Sequence, residues 1–176
     1  MSQTNELEIM ERIALDLEGV EESLASSFNT GAEDFNALIR PLSAAGGKRL
    51  RAQLCLLIAN AGTSVERQRI RIAEAVEMLH LATLIHDDVL DQAEIRRGEE
   101  TIHMHKGNKV AILSGDYLFA KAFQIVSEMP NMKYLQIFSH IITCLVEGEF
   151  MQMEDVYRID QGIERYMTKT QKKTAD

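Results

Sequence analysis

From Ser64 to Asp91 the chain contains neither glycine nor proline. Its apolar residues there include Ile70, Ile72, Ala73, Val76, Met78, Leu79, Leu84, Ile85 and Val89. A face this broad at helical spacing needs a long helix packed on several neighbours, so the rest of the chain has to supply helices around it. The remainder fits that demand. Only two prolines, Pro41 and Pro130, and ten glycines interrupt 176 residues, and Ala, Leu, Ile, Glu and nine methionines favour helix.

Leu7, Met10, Ile13, Ala14 and Leu17 predict an amphipathic first helix. The stretch Gly31-Ala32-Glu33-Asp34 breaks the pattern, and Phe35, Leu38, Ile39 and Leu42 predict a short helix running into Pro41 and a turn at Ala45-Gly46-Gly47. A helix over about 49–61 carries Leu50, Leu54, Leu57 and Ile58 on its apolar side, with Gly62 as its C-cap. Ser64 begins the long helix, with Glu66 and Arg67 in its first turn, and Gly98 ends the segment that follows. Further helices are predicted over about 109–129, 132–157 and 161–176. No segment alternates apolar and polar residues, so the fold class is all-α.

A formal net charge of -8 excludes general nucleic-acid binding, which needs a basic surface, but leaves room for a small anion held by local cations or a metal. Cys55 and Cys144 lie in apolar surroundings and read as buried free thiols. The first ten residues carry two glutamates and no basic segment, so no signal peptide is expected. No apolar stretch approaches the roughly 20 residues that span a bilayer. A cytoplasmic protein is expected.

Asp87 and Asp91 are four residues apart, on one helix face, with Asp88 beside them. Such crowded carboxylates repel one another, and a hard cation relieves the repulsion. Mg²⁺ typically uses one or two carboxylates together with phosphate oxygens. A solvated acidic patch is the alternative, although the triplet directly follows Leu84-Ile85-His86 inside an apolar helix. His80, seven residues earlier, shares nearly that face and is either a satisfied core histidine or a donor to a phosphate. Arg96-Arg97 is either surface decoration at a helix end or a pair for bidentate phosphate contacts. In Gly46-Gly47-Lys48-Arg49-Leu50-Arg51 a tight turn opens a helix whose first amides face an anion. Basic residues at that end oppose the helix dipole unless an anion sits among them. The spacing is not that of a nucleotide P-loop. A metal-dependent phosphohydrolase of the His-Asp type remains a remote alternative, through His86-Asp87 with His80, His103 and His105. It leaves the basic turn without a role.

Taken together, Gly46–Arg51 (GGKRLR), Glu77–Gly98 (EMLHLATLIHDDVLDQAEIRRG), Gly107–Phe119 (GNKVAILSGDYLF), Gly148–Gln152 (GEFMQ) and Lys173-Thr174 resemble the trans-isoprenyl (polyprenyl) diphosphate synthases in order and spacing. The resemblance implies an antiparallel helix bundle of the isoprenoid synthase type. It also implies Mg²⁺-dependent head-to-tail condensation of isopentenyl diphosphate with an allylic prenyl diphosphate. By the family pattern Asp87, Asp88 and Asp91 are catalytic and bind Mg²⁺. Lys48, Arg51, His80 and Arg97 hold isopentenyl diphosphate, and Arg96, Gln152, Lys173 and Thr174 contact the allylic substrate. Product length in this family is set just before the first aspartate motif. Ala82 and Thr83 are small there, which implies a long-chain product of the heptaprenyl or octaprenyl kind, unless a deeper floor decides the length.

Members of that family carry a second aspartate-rich motif beyond Lys173-Thr174, and these 176 residues do not; Glu154-Asp155 and Asp160 lie too early. Residues 1–176 are therefore expected to be the N-terminal part of a synthase domain, truncated and inactive alone. A split enzyme completed by another chain, or a non-catalytic prenyl-diphosphate-binding partner subunit of a heteromeric synthase, are the alternatives. Apolar faces such as that of Ile141, Ile142, Leu145 and Val146 are expected to be bare, favouring a homodimer or a complementing chain.

Overall fold

A computed structural model describes the backbone of residues 3–28, 33–44, 47–62 and 65–175, and the side chains of 7–28, 33–41, 47–62 and 65–173. Gly46, Ser64 and the Thr174 side chain lie outside the described residues. The described elements are α1 (Gln3–Ser27), α2 (Glu33–Ala44), α3 (Leu50–Asn60), α4 (Glu66–Leu90), β1 (Ile95–Arg96), β2 (Glu99–Glu100), α5 (Ile102–Lys106), α6 (Asn108–Ser127), α7 (Lys133–Glu154) and α8 (Ile163–Thr170). A π-helical turn, Gln171–Ala175, continues α8. The fold is all-α, and its contacts divide it into two compact units, Met1–Glu128 and Met129–Asp176.

In the first unit α4 is the central helix, packed most extensively on α6 and also against α1 and α3. Its buried residues include Ala73, Ala75, Met78, Leu79, Leu81, Ala82 and Ile85, the broad face its pattern demands. Helix α6 buries Ala111, Ser114, Gly115, Leu118, Ala122, Ile125 and Val126. By length and composition alone, its 20 residues are apolar enough to cross a membrane. That corrects the expectation that no stretch approaches this length; its apolarity is used in packing on α4.

The sequence misjudged two other details. Helix α2 contains Pro41 instead of ending at it. The fixed φ of proline suits a helix, and the bond lost is one near the end, with only Leu42, Ser43 and Ala44 following. In α3 the buried residues are Ala52 and Leu56, while Leu50, Leu54, Leu57 and Ile58 are exposed. Bulk suggested the opposite face. Helix α3 packs on α4 and α1, and burial follows that packing, not the bulk of the side chains.

Among the described residues, charge is buried only where it is paired, as desolvation requires. Asp16 of α1 takes both Nε and Nη2 of Arg69 from α4, at 3.0 and 3.1 Å, and the Asn60 amide at 3.0 Å. Glu74, fully buried, accepts from Ser23, Ser27 and Arg71 at 2.6–2.7 Å. These pairs fix α1 and α3 on α4.

In the second unit, α7 packs against α8 and the π-helical turn. Ion pairs bind them: Arg165 to Asp155 (2.6 Å) and Glu154 (2.8 Å), Lys169 to Asp155 (3.2 Å), and Lys172 to Glu147. Within this unit Val146, Phe150 and Met153 are exposed, and Ile141, Ile142 and Leu145 are half-buried.

Candidate active site

The acidic triplet occupies the C-terminal turn of α4, with Asp91 as the cap residue. A helix C-terminus is the negative end of the dipole, so three carboxylates there are electrostatically unfavourable, and the last turn holds no basic residue to offset them. One is compensated from outside the helix. Arg96 Nε donates to Asp88 Oδ1 at 2.6 Å, and Asp88 is buried. Asp87 is half-buried and Asp91 exposed, and the Asp91 amide bonds to the Asp87 carbonyl at 2.8 Å, placing the two carboxylates one turn apart.

Arg96 and Arg97 lie on a hairpin, not at the helix end that sequence reasoning supposed. Strands β1 and β2 pair Ile95 with Glu100 and Arg96 with Glu99. Arg97 and Gly98 form the two-residue loop with φ of 55° and 88°, the positive pair that a type I′ hairpin turn requires. Thr101 ties its base down, Oγ1 donating to the Ala93 carbonyl at 2.8 Å and the amide to that of Glu94 at 3.0 Å.

The hairpin brings Arg97 to the basic turn. A Cβ on Gly47 would come within 3.3 Å of the Arg97 guanidinium, so the missing side chain at Gly47 is what lets Arg97 approach the backbone. On the far side of the turn, Arg51 Nη1 lies 3.1 Å from His80 Nε2. A guanidinium only donates, so Nε2 accepts and the neutral ring carries its proton on Nδ1. Burial, and then the guanidiniums of Arg51, Arg97, Arg96 and Arg49, pull the His80 imidazole from its ordinary 6.5 down to about 4. At neutral pH the charge around it is therefore that of Arg51, Arg97 and Arg96. Arg49 stands apart from them: it is 7% exposed and bonded to Glu21.

His86 faces away from the acidic turn. Its Nε2 lies 3.2 Å from the Ile112 carbonyl oxygen and 3.4 Å from Asp116 Oδ1, and a Cβ on Gly115 would collide with the ring at 2.2 Å. His103 pairs with Thr101 and His105 approaches Glu100. The histidines that a His-Asp phosphohydrolase needs thus take separate partners. Among the described residues no three His, Cys, Asp or Glu side chains form a closed metal cage. The donor set fits an open site instead: two accessible carboxylates one turn apart leave most positions of an octahedral Mg²⁺ to water and phosphate oxygens.

Ala82 is fully buried, and half-buried Thr83 donates its hydroxyl to the His80 carbonyl at 2.8 Å, leaving its methyl group as the outward surface. In the second unit, Lys173 Nζ donates to both oxygens of Glu149, at 2.5 and 2.9 Å, and to Gln152 Oε1 at 3.0 Å. Gly148 permits this, since a Cβ there would press on the Lys173 backbone at 3.0 Å. Sequence reasoning did not single out Glu21, Glu77 or Asp116. Each acts through a partner on another helix, and only the GNKVAILSGDYLF stretch gave a signal for Asp116.

A helix bundle with an acidic turn and a basic turn linked through the Arg96-Arg97 hairpin defines a class. The chain matches the family model described as polyprenyl synthetase over residues 32–176, and it belongs to that family. It is 37% identical to heptaprenyl diphosphate synthase component 2 of Geobacillus stearothermophilus, covering 91% of this chain and 50% of that protein. It is 34% identical to octaprenyl diphosphate synthase of Escherichia coli (strain K12), covering 95% and 52%. Among solved structures, a polyprenyl synthase from Caulobacter crescentus CB15 complexed with calcium and isoprenyl diphosphate matches with a TM-score of 0.86 at 33% identity, over 93% of this chain and 51% of that one. The fold is thus the helix bundle of the isoprenoid synthases, and the chain spans about half the length of the relatives it matches.

Proposed function

We propose that this chain is the N-terminal part of a long-chain polyprenyl diphosphate synthase, catalysing head-to-tail condensation of isopentenyl diphosphate with an allylic prenyl diphosphate. The observation that carries this is the pair of oppositely charged turns in one unit: Asp87, Asp88 and Asp91 on α4, and Lys48, Arg51, His80 and Arg97 around the start of α3.

Asp87 and Asp91 would hold Mg²⁺, and Asp88 contributes by fixing Arg96. Bound there, Mg²⁺ would supply Lewis-acid stabilisation of the departing diphosphate. The Caulobacter relative's calcium and isoprenyl diphosphate support a divalent cation with this ligand class. Lys48, Arg51 and Arg97 grip the diphosphate of isopentenyl diphosphate, and neutral His80 offers its Nδ1 proton as a further donor. Arg96 is assigned to the allylic substrate, as are Gln152, Lys173 and Thr174 of the second unit. The homoallylic double bond then attacks the allylic cation and a proton is lost. Fixed cationic donors act here by electrostatic preorganisation. Small Ala82 and Thr83 favour a long-chain product, as do the heptaprenyl and octaprenyl relatives.

A cytoplasmic enzyme working as a homodimer or with a complementing chain completes the proposal, and these 176 residues alone are expected not to turn over. The relative named as component 2 favours one variant, in which this chain is a prenyl-diphosphate-binding subunit of a heteromeric synthase. The test is Mg²⁺-dependent incorporation of labelled isopentenyl diphosphate by the chain alone and by the chain joined to or mixed with a complementing C-terminal half, with product length read by mass spectrometry. Incorporation that survives Asp87→Ala and Asp91→Ala unchanged would sink the metal assignment.

A further inference from the structure

We propose that Arg49 is not a diphosphate ligand but a positioning residue, clamped by Glu21 and Glu77, that sets the Gly47–Arg51 turn for diphosphate binding. The inference rests on the diphosphate-binding assignment of Lys48 and Arg51 given above.

Arg49 is the residue of the basic turn that points inward. It is 7% exposed, while Lys48 and Arg51 on either side are exposed. Its backbone is left-handed, with φ 45° and ψ 37°, a conformation that a side chain with a Cβ adopts only when its surroundings enforce it. The enforcement comes from two other helices. Arg49 Nε and Nη2 donate to the two oxygens of Glu21 on α1, at 2.6 and 3.1 Å, and Nη1 lies 3.5 Å from Glu77 Oε2 on α4. The other oxygen of Glu77 accepts the Ala52 amide at 3.0 Å. That amide is one of those left open at a helix start, and α3 has no side-chain cap of its own at Arg49.

One buried carboxylate therefore fixes both the residue before α3 and the first turn of α3. Residues 49 and 52 are pinned inward, and the left-handed step at 49 reverses the chain so that 48 and 51 project outward. The clamp also offsets the charge of Arg49, so the cations that remain uncompensated at this helix start are the outward ones.

The sign of an electrostatic effect makes this testable. Glu21 and Glu77 are negative charges beside an anion site. If they only tuned its potential, removing either would tighten anion binding; if they position the turn, removing either weakens it. The experiment is calorimetric titration of inorganic diphosphate, without metal, into the full chain and its variants, each first checked by thermal unfolding. Lys48→Ala with Arg51→Ala is the reference and should weaken binding at least tenfold. Glu21→Gln, at a half-exposed side chain that folding tolerates, should weaken it about fivefold. Arg49→Gly, which accepts the left-handed backbone but removes the guanidinium, should do at least as much. Arg49→Lys should not rescue, because an ammonium cannot bridge two carboxylates in a fork. Glu77→Gln retains an acceptor for the Ala52 amide and should lose less than Glu77→Ala. Unchanged or tighter binding in Glu21→Gln and Arg49→Gly, with the reference double variant weakened, overturns the inference alone. If the double variant binds diphosphate as wild type does, the diphosphate assignment fails and the inference with it.

Discussion

The C-terminal turn of α4 and the N-terminal turn of α3 both carry charges of the wrong sign for their helix ends, and both have one charge neutralised by the protein. At α4 that charge is Asp88, met by Arg96; at α3 it is Arg49, met by Glu21 and Glu77. The buried member of each cluster carries an ion pair, while Asp87 is half-buried and Asp91, Lys48 and Arg51 are exposed. A charge cannot be buried without a partner, so the buried member of each cluster is committed to holding the structure. The ends differ in how the partner arrives. Arg96 comes eight residues later on a hairpin, whereas Glu21 and Glu77 come from two other helices. The acidic end is thus assembled locally and the basic end depends on tertiary packing.

The strongest way to break this comparison is to remove an outward carboxylate. In a complemented enzyme, Asp87→Ala should cost several kcal/mol of transition-state stabilisation, about a thousandfold in kcat, with little change in thermal stability. Lys48→Ala or Arg51→Ala should raise the KM for isopentenyl diphosphate about tenfold, with a smaller effect on the KM of the allylic substrate. Removing a paired partner should instead show in stability. Arg96→Gln leaves Asp88 buried beside a weaker donor and should lower stability by about 1–3 kcal/mol in chemical denaturation. An Arg96→Gln variant as stable as wild type would mean that Asp88 is not held by this pair.

A further effect is expected on pH. The folded-state pKa of His80 is about 4 against an ordinary 6.5, so the unfolded chain binds more protons between those values. Stability should therefore rise with pH from about 4 to 6.5 and be lost on acidification through the same window. His80→Gln should flatten that slope, and saturating diphosphate should reduce it in wild type by favouring the charged ring. A slope unchanged in His80→Gln would assign the acid sensitivity to other groups.

Much of the site was legible because its residues announce themselves by type and spacing. Asp87 and Asp91 share a face by the helical period alone, and the turn before α3 is written in Gly47 and its cations. Arg97 was singled out by residue type, but its hairpin was not foreseen, since a two-residue strand has no period to detect. The face of α3 was misread for a related reason. Leu50, Leu54, Leu57 and Ile58 make the more apolar stripe, yet the residues of α3 that are buried are Ala52 and Leu56. Burial depends on what the neighbouring helix can approach, and a single helix does not contain that information.

The sequence by itself determined the helical class, the shared helix face of Asp87 and Asp91 and the family to which its motifs belong, because those follow from short-range spacing and residue chemistry. Only the tertiary structure decided which charge of each cluster is an inward brace and which faces outward. It paired Arg96 with Asp88, turned Arg49 onto Glu21 and Glu77, and set neutral His80 against Arg51. Those outcomes depend on desolvation and on partners up to 29 residues away in the chain, and burial exists only once the helices have packed.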